Sequence, residues 1–317
     1  MPTYIAQFRS PVLAGVGHTM VFHFLKLTIP YCLLAIAVWS IPSSRLKDRI
    51  DALAKFIKHH RRYPIRRLVF SDVLYRIKSG SELLDPARTF TTDKELAKIF
   101  ISGVVGPSYN VPTIGVIRSH ADLAAFRFPE RCFIKATHSS GRNIFRQNGE
   151  PINYDVLSEW LNHSYYEKKR EGNYRDLRPK IIVESPVFDG REFYELSLFC
   201  YNGEVKIIIR QYGNKFAKTS RRRRIYTAEW QDCNCSMGYP LAELAEKPKN
   251  LDEIKAVANA IAAYFSFVRL DIYTDEKEFF VGEITHSHAG GGQSFIPVEA
   301  EIDISRHMFG VEKGLVA

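Results

Sequence analysis

The sequence predicts an α+β protein whose strands pair mostly antiparallel. Three observations predict it. YELSLFCYNGEVKIIIRQY (194–212) sets two alternating runs on either side of Asn-Gly, the dipeptide that favours a tight hairpin turn. VRLDIY and FFVGEIT, joined by TDEKE, repeat that arrangement farther along the chain. Helical stretches fall between groups of strands rather than after each one, so the regular alternation of a doubly wound sheet is missing.

The elements follow in order. From Ser10 to Ile41 the only formal charge is Lys26, and LTIPYCLLAIAVWSI (27–41) is an uncharged apolar run of 15 residues. A spanning helix needs about 20 residues, so this run reaches that length only by starting near Met20 and accepting His23, Lys26 and Pro30. The strongly basic stretch behind it is the flank expected on a cytoplasmic side. Residues 20–41 are therefore a candidate for membrane association, against the plainer reading of a core or docking helix. Residues 46–62 read as a basic amphipathic helix with Leu46, Ile50, Leu53 and Ile57 at helical spacing. TFTTDKELAKIFISGVVG opens on a Thr/Asp start signal and predicts a helix to about Gly103, and PSYNVPTIGVI then reads as loop and strand. FPERCFIKATHSSGRNIF predicts strand, polar loop and strand; YDVLSEWLNHSYYEKK a helix; KIIVESPVF a buried strand running into a proline-marked turn. LDEIKAVANAIAAYF is a further helix before the last strand pair.

Composition bounds the function. With 317 residues, 45% apolar and 25% charged, the chain is that of a packed protein and not a disordered one. Its formal charge of +9 and pI near 9.2 favour anionic partners. The cysteines Cys32, Cys132, Cys200, Cys233 and Cys235 have no regular spacing, and CNC lacks the second pair of a zinc site, so they read as reduced thiols of a cytoplasmic body. RRRR at 221–224 has no interleaved aromatic stripe or helix-turn-helix pattern beside it, which argues against nucleic acid.

Three groups carry chemistry. In FIKATHSSGRN a strand lysine, Lys135, precedes a Ser/Gly loop whose small side chains leave backbone N–H groups open to phosphate. Glu184 closes the apolar run KIIVE, a costly place for a carboxylate unless an adenine amino group or a lysine meets it. On VRLDIY, Arg269 and Asp271 share one face while Val268, Leu270 and Ile272 share the other, and pairing with FFVGEIT brings Glu283 beside Asp271. Two carboxylates held close need a cation or a proton between them. His286 and His288, two apart, would suit zinc, but no other Cys/His cluster stands at ligand spacing. Asp271 and Glu283 with Thr285 fit magnesium, an ion held largely through phosphate oxygens and water.

In this order, TTDKELAKIF, FIKATHSSGRN, IIVESPV, the FCYNG hairpin, FVRLDIY, VGEITHSHAGG and the trailing FIP resemble an ATP-grasp protein, most closely the TupA-like ATP-grasp group linked to polysaccharide and teichuronopeptide biosynthesis. The likeness covers roughly residues 90 to 300. It implies two α+β lobes clasping ATP behind a helical N-terminal region, divided as 1–45 hydrophobic segment, 46–125 helical linker, 126–187 small lobe and 188–310 large lobe. It implies Lys94 and Lys135 on the ATP phosphates, Ser139, Ser140 and Gly141 in the phosphate loop, and Glu184 beside adenine with backbone contacts from Ser185 to Val187. It further implies Glu195 on the ribose, Asp271, Glu283 and Thr285 on magnesium, and Arg269 on the transferring phosphoryl group. Two positions depart from the group: Thr285 stands in place of an asparagine, and Ser197 in place of a lysine whose charge would then come from Arg210, Lys206 or Lys215. The activity implied is Mg2+- and ATP-dependent activation of a carboxylate followed by amine attack. The substrate class is an anionic carboxylate, a uronic acid or an amino acid borne on a polysaccharide, with KFAKTSRRRRIY as lid or clamp. The alternative is a nucleotide-binding, non-catalytic component of a polysaccharide synthesis complex. Either would work in the cytoplasm, at the inner face of the plasma membrane if residues 20–41 anchor it.

Overall fold

Two antiparallel sheets organise the chain, each built around its own hairpin. The computed structural model describes residues 33, 34, 36, 38, 40–65, 68–213 and 220–310. Most of the apolar segment 20–41 lies outside the described residues, as does Lys215 in the expected lid. No helix among the described residues is long and apolar enough to cross a membrane.

Helix α1 (Arg45–His60) starts at Ser44, whose side chain accepts from the Lys47 N–H, and ends at Arg61 with φ 54°. Its buried face differs from the one the apolar spacing predicts. Ile57 is buried and Ile50 and Leu53 are half-buried as expected, but Leu46 is exposed while Asp48, Asp51, Ala52 and Phe56 are buried. The reason is polar: Tyr166, Arg170 and Arg175 all bind the Asp48 carboxylate, and that anchor rotates the helix. After α2 (Phe70–Ser79), helix α3 (Pro86–Thr92) and helix α4 (Lys94–Val105) replace the single helix predicted from TFTTDKELAKIFISGVVG. Asp93 divides them, because its side chain accepts from the Glu95 and Leu96 N–H groups and so caps α4. That break puts Lys94 at the first position of the helix.

The small sheet comprises β1 (Thr113–Ile117), β2 (Cys132–Ala136), β3 (Asn143–Arg146) and β4 (Ile181–Glu184) in the order β1-β4-β2-β3. It therefore begins upstream of the boundary at 126 expected from the sequence, because β1 pairs with β4. Helices α5 (His120–Ala125) and α6 (Tyr154–Asn162) cover one face, burying Leu123, Leu157 and Trp160 against Ile134 and Ile181. A short α7 (Tyr165–Lys169) leads back to β4. The large sheet has the order β10-β9-β5-β6-β7, from β5 (Tyr194–Tyr201), β6 (Glu204–Tyr212), β7 (Arg222–Thr227), β9 (Phe267–Thr274) and β10 (Phe279–Thr285). Asn202 and Gly203 both take positive φ, 49° and 82°, the turn that matches the twist of paired strands.

Both faces of the large sheet are covered, which is why β5 and β6 carry apolar residues on both sides. Helix α8 (Leu251–Ala262) and α4 pack on Leu196, Leu198, Ile208, Val268, Leu270 and Ile272. On the other face α2 and α9 (Ala300–Phe309) pack on Phe199, Ile207 and Phe267. Each such fully buried side chain stabilises the fold by about 1.5–3 kcal/mol. Two short strands, β8 (Ser236–Met237) and β11 (Phe295–Ile296), pair beneath α9. The residues on that second face not covered by apolar packing are the polar ones, and they form the site.

Candidate active site

The strand pair β9/β10 faces Asp271 with Glu283 and Arg269 with Thr285. A uniform ladder would not do this. Val281 opposes Ile272 and Glu283 opposes Asp271, so Gly282 is an extra residue that transfers Glu283 from the core side to the Asp271 side. A Cβ at Gly282 would stand 2.4 Å from the Tyr273 ring, so any other residue in the bulge has to displace that ring. Asp271 is buried, with Oδ1 accepting from Ser197 Oγ at 2.8 Å and Oδ2 from Arg269 at 2.6 Å. Arg269 also donates to Thr285 Oγ1 at 3.1 Å and to His288 Nδ1, while its Nε has no partner among the described residues. Burial alone would lower the Arg269 pKa, but Asp271 and then Glu283 overcome it and raise it.

These groups belong to a closed loop of side chains. Arginine only donates, so His288 Nδ1 accepts from Arg269, and its Nε2–H then donates to Gln293 Oε1 at 2.8 Å. Arg223 donates to both Gln293 Oε1 and Gln211 Oε1, and Gln211 donates to Ser197 Oγ and Glu195 Oε1. Burial and the Arg269 and Arg223 charges hold the His288 pKa well below the ordinary value, so the ring is neutral. Burial, then Arg269, pushes Arg223 down to about 10. His286 is separate: it is buried between Thr91 and Arg88, and it holds α3 to the sheet.

The small sheet supplies the facing wall. Lys135 on β2 and Lys98 on α4 each lie 2.5 Å from a different oxygen of Glu184, which is 3% exposed. Burial alone would raise the Glu184 pKa, but the two ammonium groups hold it below the usual value. Lys94 donates to Ser139 O at 2.8 Å and stands 3.8 Å from Glu283 Oε1, joining the loop after β2 to the carboxylate pair. In that loop the Ser139, Ser140 and Gly141 N–H groups find no acceptor among the described residues, and Gly141 has φ 79° with open space about its Cβ position. Burial and then Lys94 push the neighbouring His138 down to about 4.

Between the sheets lies a cleft of about 670 Å³. The stacked rings of Phe133 and Phe145, 4.3 Å apart, and Lys135 line one side, Val187 and Gly190 the connection, and Glu195, Arg210 and Gln211 the other. The cleft offers apolar rings suited to a flat base, and the open loop, tied by Lys94 to the carboxylate pair, offers N–H groups suited to phosphates. Asp271, Glu283 and Thr285 offer hard oxygens suited to Mg2+. No three His, Cys, Asp or Glu side chains among the described residues converge as a metal cage, so the remaining ligands would be phosphate oxygens and water.

Some expected positions lie elsewhere. Arg210 opposes Leu196 and so points to the other face from Asp271, stacked 3.8 Å from the Tyr194 ring centroid. Lys206 pairs with Glu204 near the hairpin turn, away from the carboxylates. The Ser185 N–H already donates to Pro112 O, and Pro186 has no N–H, which leaves the Val187 N–H as the donor of this segment for a base contact. The arginine run is largely strand and not loop: Arg223 and Arg224 are buried in β7, on opposite faces, because β7 pairs with β6. Lys98, Arg223, Gln211, Gln293 and the Phe133–Phe145 pair were not anticipated. Of these only Lys98, four residues after Lys94, carried a local signal.

A family model described as TupA-like ATPgrasp matches residues 78–305. No curated protein matches the chain. Among solved structures, the ATP-grasp ligase PsnB complexed with minimal precursor is 13% identical, covering 68% of this chain and 60% of its own, with TM-score 0.37. D-alanine–D-alanine ligase from Helicobacter pylori is 15% identical over 65% and 54%, with TM-score 0.37. The Bacillus anthracis D-alanine–D-alanine ligase complexed with ATP is 13% identical over 62% and 54%, with TM-score 0.35. The chain spans less than two thirds of the length of each.

Proposed function

Because the chain belongs to the TupA-like ATP-grasp family, which matches residues 78–305, we propose that it is an ADP-forming carboxylate–amine ligase using Mg-ATP in cell-surface polysaccharide assembly. The observation that carries this reading is the Asp271–Glu283 pair, set in register by the Gly282 bulge and tied by Lys94 to the loop after β2. The polysaccharide assignment rests on the resemblance to the family group and on the formal charge of +9.

In this mechanism a carboxylate oxygen attacks the γ-phosphorus, and the bond to the bridging oxygen breaks to leave ADP. An amine then attacks the acyl carbon, and phosphate departs with the electrons of the C–O bond. The chain's part is placement and charge neutralisation. Lys135 and Lys94 meet the phosphates, the open N–H groups of Ser139 to Gly141 donate to their oxygens, Val187 contacts the base and Glu195 the ribose. Magnesium, held by Asp271, Glu283 and Thr285, would neutralise phosphate oxygens. Arg269 orients Asp271 and Thr285, which both accept from its Nη2.

Calorimetric binding of Mg2+ with a non-hydrolysable ATP analogue tests this. Wild type should bind, and Lys135→Ala and Glu283→Gln should each weaken binding by at least about tenfold. Absence of binding by folded wild type would refute the reading. The engagement of Arg269 by Asp271, Thr285 and His288 favours a second reading, in which the protein binds Mg-ATP within a synthesis complex without turnover. Retained Mg-ATP binding with no ADP release in the presence of amino acids and uronic acids would favour that one.

A further inference from the structure

A second cavity, of about 520 Å³, opens on the far side of the carboxylate pair. Arg269, Glu283 and Thr285 form one wall, Ser140 of the phosphate loop touches it, and α1 supplies Asp51, Lys55, Lys58 and His59 to the opposite wall. Helix α1 precedes residues 78–305, so this cavity is completed by a segment outside the family match. Its volume falls within the range usual for small-molecule sites.

The chemistry of its lining is that of an anion site. Ser287 is 6% exposed, lines the cavity, and its hydroxyl has no hydrogen-bond partner among the described residues. Lys78, also 6% exposed, donates to Gly290 O at 3.2 Å and borders the same space. Glu171 offsets Lys78, and Asp51 offsets Lys55 at 2.7 Å. Lys58 and Lys169, both exposed, form no ion pair among the described residues, and both line the cavity, one from α1 and the other from α7. Basic groups in the last turn of a helix are common for reasons of its dipole alone. What distinguishes these is their convergence with a buried ammonium and an unpartnered hydroxyl on one cavity. Burial, followed by His60, Lys58, Lys78 and Lys55, lowers the His59 pKa, the response of an imidazole in a field that an anion would relieve.

Building on the ligase reading, we propose that this cavity is the acceptor site, and that it takes a carboxylate bearing a second anionic group. The reacting carboxylate lies beside Arg269 and Ser287, next to the phosphate end of the nucleotide cleft. The second anionic group is held by Lys58 and Lys169. An acidic polymer unit or an acidic amino acid meets that description; a neutral amino acid does not.

The test uses the full chain loaded with Mg2+ and a non-hydrolysable ATP analogue, titrated with glutarate, L-glutamate and citrate, and with butyrate and L-glutamine as single-carboxylate controls. At least one of the first three should bind about tenfold more tightly than the controls, and Lys58→Glu and Lys169→Glu should each weaken it about tenfold while nucleotide affinity holds. Both lysines are exposed, so these variants keep the fold. Equal binding of the two sets, no binding of any, or indifference to both charge reversals overturns the proposal. Failure of the nucleotide to bind refutes the ligase reading instead, and the same titrations on the unloaded chain then decide the cavity by the same criteria.

Discussion

His138 lies buried at the root of the phosphate loop, where burial and the Lys94 ammonium hold its pKa down to about 4. In the unfolded chain the same imidazole titrates near 6.5. Above that pH neither state carries the proton and the full stability is present. As pH falls from 6.5 towards 4 the unfolded state takes up the proton first, so stability is lost across that window by about 3 kcal/mol. Urea unfolding at pH 7 and pH 4.5 should show wild type losing about 2 kcal/mol more than His138→Gln, which has no such titration. An equal loss in both would mean that the imidazole is reached by water. Glu184 illustrates a different limit at this scale. The apolar run KIIVE announces a carboxylate in need of a partner, but whether an adenine or a lysine meets it depends on Lys98, which a helix brings from another part of the chain.

Elements were legible where their cause is local. The Asn-Gly hairpin and the alternation of VRLDIY follow from turn geometry and side-chain period, and both appear as read, whereas the Thr/Asp start signal marks a boundary between two helices instead of the opening of one. The face of Arg210 was not legible, since it follows from the register of β5 against β6, a property of two strands together. Nor was β7, whose arginines look like a solvated run until β6 and the Asp232 carboxylate are placed beside them. The bulge at Gly282 sits between these cases, because the glycine is visible and the extra residue is not. Gly282→Ala forces a Cβ into the Tyr273 ring and should destabilise the protein by about 1–3 kcal/mol. It should also weaken the Mg2+ dependence of nucleotide binding, since Glu283 would lose its place opposite Asp271. Thermal unfolding with an Mg2+ titration reads both. Unchanged Mg2+ dependence in a destabilised variant would separate the bulge from the metal site.

For the whole molecule, the question is what ties α1 to the rest. Asp48 receives hydrogen bonds from Tyr166, Arg170 and Arg175, and Arg170 is itself buried. Removing one partner of such a buried pair costs about 3–5 kcal/mol, because the remaining charge is left uncompensated. Asp48→Ala should lower unfolding free energy by that order and speed amide exchange in residues 45–60 ahead of α8. Exchange that stays slow in α1 would show that Phe56 and Ile57 suffice to hold it. The loop of hydrogen bonds through Arg223, Gln211, Ser197, Asp271, Arg269, His288 and Gln293 has a bearing on how such a protein can change over generations. Gln211 and Gln293 sit on different strands and loops but share Arg223, so a replacement at one alters what the other can accept. Positions far apart in the chain are thereby bound to a common history. A route to a new specificity that passes through this circuit must move several residues together, whereas one that passes through the exposed lysines of α1 can move them one at a time.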